Sequence, residues 1–327
     1  MASQPTHTRA STAPGPRREA RSFIDPQALM RIESLQLRAA SVVEGFLHGL
    51  HRSPYHGFSV EFSEYREYLP GDDLRFLDWR VFARTDRFYI KRFEDETNLR
   101  CELLLDTSRS MGFGSGTFSK LDYARTLAAT IAYFLSLQRD AVGLRTFDER
   151  IVETLPARYR PGHLNRLLLA LERTPAGEGT DLSLPLEEVA ATVTKRGMIV
   201  LISDLLAPLD KLEKSLGYLR SRGQEVILLR VLDPAEVEFS FDSPTMFHDV
   251  ESGQQRYVDP RSVRDEYQTR FQEHADAIKR TCNILGIDLY DLTTDQPLEL
   301  SLFDFIQSRQ QRSRHVARRS NRPRRDA

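Results

Sequence analysis

The chain has 327 residues, of which 40% are hydrophobic and 28% charged, with a formal net charge of −1. That is enough apolar material for one large or two modest domains, and the near-balanced charge excludes a polyelectrolyte. It carries no apolar run of the ~18 residues a membrane span needs and no apolar leader, and its two cysteines, Cys101 and Cys282, sit in apolar surroundings, which together predict a reduced, cytoplasmic protein.

The first segment, 1–26, holds Arg9, Arg17, Arg18 and Arg21 among Ser, Thr, Pro and Ala, and reads as a disordered arm. From Gln27 to Leu50, apolar residues recur at helical spacing, including Leu29, Ile32, Leu35, Val42, Val43 and Phe46, which predicts one or two helices. The stretch His51–Glu96 is rich in aromatics, Arg and acids. Its alternating segments Phe58–Phe62 and Arg87–Phe93 predict short strands, so 27–98 reads as a small helical and β-containing module.

From Leu99 strands and helices alternate. Strands are predicted over Arg100–Asp106, Val142–Phe147, Ile151–Leu155, Met198–Ser203, Glu225–Leu232 and Asp288–Leu292. Helices are predicted over Leu121–Leu137, His163–Glu172, Pro185–Val193, Asp210–Arg222, Val263–Leu285 and Leu298–Arg309. This alternation implies a mostly parallel sheet covered on both faces. The link Asp148–Arg150 is too short for a crossover, so Ile151–Leu155 is expected to be an antiparallel edge strand. Residues 237–259 lack helical period and read as an inserted hairpin or loop in a domain spanning 99–309. The tail 310–327 is basic: from Arg309 to Arg325 there are eight Arg and no acid.

Three turns carry hard oxygen groups. Asp106, Ser108 and Ser110 alternate directly after an apolar strand; Thr180 lies in Gly177–Asp181; Asp204 ends Met198–Asp204. In an open parallel sheet the carboxyl ends of the strands share one rim, so these five side chains can converge there. Such a set suits Mg²⁺ or Mn²⁺, which prefer oxygen ligands, and leaves a coordination position for an oxygen from outside, such as a partner's Asp or Glu.

Asp-x-Ser-x-Ser, then Gly-Thr-Asp, then Ile-Ser-Asp resembles the metal-ion-dependent adhesion site of von Willebrand factor A domains. The resemblance implies that Ser108, Ser110 and Thr180 touch the metal or its waters, with Asp106 and Asp204 holding the shell largely through water and hydrogen bonds. The segments Glu64–Trp79 and Ala83–Glu96 resemble the signature of the bacterial domain of unknown function 58 family. That likeness implies an adaptor or co-chaperone working with a MoxR-type AAA+ ATPase. Many members of the family carry membrane helices ahead of the signature; this chain shows none there. The expected fold is a von Willebrand factor A-like, doubly wound, mostly parallel sheet with one antiparallel edge strand, preceded by the small module.

Other readings compete. Single acids after strands often only cap helices or close Asx turns. Gly112–Lys120 resembles a phosphate loop but lacks Gly-Lys-Ser/Thr. No Gly-x-Ser-x-Gly elbow occurs. His48, His51 and His56 cluster without a zinc ligand pattern. Arg66, Asp72, Asp73, Arg75, Asp78 and Trp79 form either an ion-pair network tying the module to the main domain or a partner surface. A metal-assisted hydrolase would need a positioned base, and no His lies in the three turns. Nucleic-acid binding would rest on the Arg-rich tails alone. The expectation is therefore a non-catalytic interaction protein.

Overall fold

The computed structural model describes residues 23–51, 64–67, 87, 89–92, 99–173, 182–248 and 255–306. Two helices come first, α1 (Pro26–Met30) and α2 (Leu35–His51). Asp25 caps α1 by accepting the Gln27 N–H, and Pro26 occupies the first turn, where a missing N–H costs nothing. Strands β1 (Glu64–Glu67) and β2 (Tyr89–Arg92) pair antiparallel, with Arg66 opposite Ile90. The expected strand Phe58–Phe62 and the residues Asp72, Asp73, Arg75, Asp78 and Trp79 lie outside the described residues.

The main sheet is built from β3 (Arg100–Asp106), β4 (Ala141–Phe147), β5 (Ile151–Arg158), β6 (Met198–Ser203), β7 (Glu225–Leu232) and β10 (Asp288–Thr293), in the order β10-β7-β6-β3-β4-β5. Every pairing is parallel except β4 with β5. Counted along this sheet, the order is 3-2-1-4-5-6, the doubly wound arrangement whose strand order reverses between its first and fourth strands. The central strands are buried on both faces, hence their unbroken apolar runs: all six residues of β6 are inaccessible, as are the last seven of β7. At the edge, Asp148 accepts the Arg150 N–H and closes the hairpin into β5.

One face of the sheet carries α3 (Lys120–Leu137), α4 (His163–Glu172) and the helical residues 298–306, here α9. The other carries α5 (Ser183–Thr192), α6 (Leu209–Ser221) and α8 (Pro260–Leu285). Two apolar clusters fill these layers. Helix α3 is buried nearly all round, because α2 covers the side turned away from the sheet. Small residues at Ala124, Ala128, Ala129 and Ala132 suit this close approach. Phe46 of α2 meets Phe134 edge-on at 6.3 Å, and the Arg38 guanidinium donates to Thr126 Oγ1 at 2.9 Å. Leu35, Val42 and Val43 share the core cluster with α3, so α1 and α2 form one packed body with the main sheet. Residues 23–25 also belong to it, since the Ile24 N–H donates to Glu299 Oε1 at 2.9 Å.

Between β7 and α8 stand α7 (Pro234–Glu238) and a hairpin of β8 (Thr245–His248) and β9 (Gln255–Val258). The hairpin expected within 237–259 is thus present. Phe239 stacks on Phe247 and packs against Tyr267, fixing the hairpin base to α8. Cys101 and Cys282 are buried and neither forms a disulfide. Among the described residues no helix is long and apolar enough to cross a membrane.

Candidate metal centre

The strand order reverses between β3 and β6, and both acids of interest sit at that crevice: Asp106 ends β3 and Asp204 directly follows β6. Ligands of open α/β sheets bind at such a point. Both residues are fully buried.

The turn after β3 is built to hold Asp106 still. The Thr107 N–H and Oγ1 both donate to the Phe147 carbonyl, at 2.7 and 2.9 Å, tying the turn to the end of β4. The Ser108 N–H donates back to Asp106 Oδ1 at 2.9 Å. A single 3₁₀ turn, Arg109–Gly112, follows and buries Met111 as its anchor. This brings the Ser108 and Ser110 hydroxyls to 3.1 Å from each other. Farther on, the Ser115 N–H donates to Asp233 Oδ2 at 2.9 Å and pins the loop to the cap of α7.

The turn after β6 meets it from the other side. Ser203 Oγ donates to Asp106 Oδ2 at 2.6 Å and accepts the Leu205 N–H at 3.0 Å. Leu205 has φ of 56°, a left-handed conformation that costs a branched side chain about 1–3 kcal/mol. Two bonds hold it there: its own N–H to Ser203, and His274 Nε2 of α8 to its carbonyl at 3.0 Å. Asp204 Oδ1 accepts the Leu206 N–H at 3.2 Å. Its Oδ2 accepts from Lys120 Nζ at 2.8 Å, and the same ammonium reaches Glu236 Oε1 of α7 at 2.7 Å.

The electrostatics of the two acids differ. Asp204 has a cation; among the described residues Asp106 has only hydroxyl and amide donors. Burial, and then the charge of Asp204, push the Asp106 carboxyl up to about 7, against the hydrogen bonds from Ser203 and Ser108. Burial works to lower the Lys120 ammonium, but the charges of Asp204 and Glu236 together outweigh it and the net direction is up. Burial raises Glu236, with Lys120 opposing.

The donor set fits a hard divalent cation. Among the described residues, a buried carboxylate without a counter-cation faces a second carboxylate, with two hydroxyls beside it and no thiol or imidazole in the two turns. Among the described residues no three His, Cys, Asp or Glu gather into a metal cluster. Thr180 lies outside the described residues. His48 Nδ1 bonds the Glu44 carbonyl of its own helix at 2.8 Å. His56 lies outside the described residues.

Three residues of this centre were not foreseen from sequence as site residues: Lys120, Ser203 and Glu236. Ser203 stands within the Ile-Ser-Asp motif, so its place was visible though its role was not. Lys120 opens α3 behind the capping box of Ser119 and Asp122, which marks a helix start and nothing more. Glu236 closes a capping box with Asp233, which likewise marks only a helix start; its ion-pair partner lies 116 residues away.

The sheet order, the antiparallel edge strand and the acids at the switch point define a von Willebrand factor A-like domain. The family model "Protein of unknown function DUF58" matches residues 64–277, and the chain belongs to that family. It is similar to uncharacterized protein Rv1480 of Mycobacterium tuberculosis strain H37Rv, 31% identical over 290 residues that cover 87% of this chain and 90% of the relative. Uncharacterized protein Mb1516 of Mycobacterium bovis shows the same 31% identity and coverage. Among solved structures, BatB from Bacteroides thetaiotaomicron is 14% identical at a TM-score of 0.45, covering 64% of this chain and 98% of that one. The SpRpn10 VWA domain is 11% identical at a TM-score of 0.37, covering 62% of this chain and 92% of that one.

Proposed function

We propose that this protein is a metal-dependent interaction adaptor, acting in the cytoplasm with a MoxR-type AAA+ ATPase. The site would be a metal-ion-dependent adhesion site for Mg²⁺ or Mn²⁺, held by Asp106, Ser108 and Ser110, with Thr180 and Asp204 completing it. The observation that carries this reading is Asp106: fully buried, without a cation among the described residues, and facing a second buried acid at the switch point of the sheet. A carboxylate so placed is costly unless a cation is supplied. When bound, the cation would offer a Lewis-acidic coordination position to an oxygen ligand from outside. The neutral hydroxyls of Ser108 and Ser110 leave most of its charge in place, so an acidic side chain of the partner is the favoured ligand. The family resemblance contributes the class of partner; the chemistry contributes the acid.

The reading also holds that the chain has no turnover of its own. Hydrolysis would need a base within reach of the attacked water. His274, which meets the Asp204 turn, spends Nε2 on the Leu205 carbonyl and so serves to hold that turn.

Calorimetry with Mn²⁺ tests the site. Wild type is expected to bind one ion per chain and Asp106→Ala none. Equal affinity in the two proteins would sink the metal reading, and phosphatase or protease activity lost in the same variant would move it to an enzyme.

A further inference from the structure

Among the described residues, the rim contains one buried cation of its own. Lys120 is wholly inaccessible, with its ammonium shared between Asp204 at 2.8 Å and Glu236 at 2.7 Å. The Asp204 side chain is also fully buried, whereas Glu236 is 16% exposed. These three form one electrostatic unit, and it touches the candidate metal site only through Asp204.

Building on the metal reading above, we propose that Lys120 is a resident counter-charge that weakens the rim's hold on its own cation and keeps the loaded rim receptive to an anionic ligand. Glu236 is its opponent. The charge count gives the reason. Asp106, Asp204 and Glu236 against Lys120 leave two negative charges, which a divalent cation neutralises. Without Lys120 the same loaded rim would be negative and would repel a partner's carboxylate. Without the charge of Glu236 it would be positive, binding the cation less well but a carboxylate better. Lys120 is thus a positioning residue: it holds Asp204 in an ion pair and sets the rim's charge without touching the incoming ligand.

This makes opposite predictions for two steps, which a general loosening of the fold would not. The measurement is Mn²⁺ affinity by calorimetry at pH 8, with and without acetate as the carboxylate probe, on wild type, Lys120→Met, Glu236→Gln and the double variant. One unit charge beside a divalent ion in partly screened surroundings is worth about a tenfold change in affinity or more. Lys120→Met should bind Mn²⁺ about tenfold tighter and lose the tightening by acetate. Glu236→Gln should bind Mn²⁺ about tenfold more weakly and gain a larger acetate effect. The double variant restores two negative charges and should return to the wild-type affinity, and it removes the unpaired Glu236 if Lys120→Met alone fails to fold. Mn²⁺ binding that is lost in Asp106→Ala yet unmoved in both Lys120→Met and Glu236→Gln would overturn the role of Lys120 while leaving the metal site standing. No Mn²⁺ binding by any of the proteins would overturn both.

Discussion

Replacing Asp106 by Asn tests what a cation-free, buried carboxylate does to this fold. The Asp106 carboxyl is raised from 3.8 to about 7, first by burial and then by the charge of Asp204. A group whose folded pKa lies above its unfolded value stabilises the fold in its protonated form. That contribution is fully present below pH 4 and is lost as pH rises through about 7. At about 1.4 kcal/mol for every unit of pKa, the metal-free protein should lose roughly 4 kcal/mol over this window. Asn keeps an acceptor for the Ser108 N–H and offers an amide to Ser203 Oγ, so the turn geometry survives. Urea unfolding in chelator, from pH 4 to pH 8, is the assay. Asp106→Asn should flatten the slope and be the more stable protein at pH 8 by a few kcal/mol. Adding Mg²⁺ should stabilise wild type more at pH 8 than at pH 5 and leave the variant unmoved. Burial also raises Glu102, Glu236 and Glu299, so the variant keeps some slope of the same sign; the difference between the two proteins isolates Asp106. Parallel curves for wild type and variant would refute the reasoning.

Other outcomes follow from the packing. Phe46→Ala removes the ring that meets Phe134 and should cost about 3–5 kcal/mol in urea unfolding, because α2 is a wall of the main core. A cost below about 1 kcal/mol would mean that α2 is a detachable appendage. Gly143→Ala would put a Cβ 2.7 Å from the Ala157 N, with Glu102 crowding it as well, and should destabilise by about 1–3 kcal/mol. A chain shortened to residues 23–309 keeps the Ile24 bond to Glu299 and should retain the parent's thermal midpoint by calorimetry. A loss of several degrees would show that a removed tail packs on the body.

The sheet was readable in advance because its strands are buried on both faces. Unbroken runs such as Leu103–Leu105 and Met198–Ile202 have no alternative home, and the three-residue link after Phe147 forced a hairpin. Helix starts were read less well. Periodicity placed α8 from Val263, yet it begins at Pro260 with Asp259 as its cap, since a polar first turn carries no apolar stripe. The covering of α3 by α2 left only a faint trace, the run of alanines, because a helix buried on two sides loses its amphipathic signature. In the candidate site, Asp106 ends β3, Ser108 and Ser110 lie in the turn after it and Asp204 directly follows β6, so local pattern sufficed to single them out as candidates. Lys120, by contrast, meets partners 84 and 116 residues away, and nothing local separates it from an exposed helix-start lysine.

The central claim is that the rim binds its partner through a cation. Its most direct measurement is recovery of the proposed partner, a MoxR-type AAA+ ATPase, on the immobilised protein, with Mg²⁺ and with chelator, for wild type and for Ser108→Ala combined with Asp204→Ala. The account predicts recovery by wild type in Mg²⁺, and loss both in chelator and in the double variant. Equal recovery in all of these conditions would contradict it.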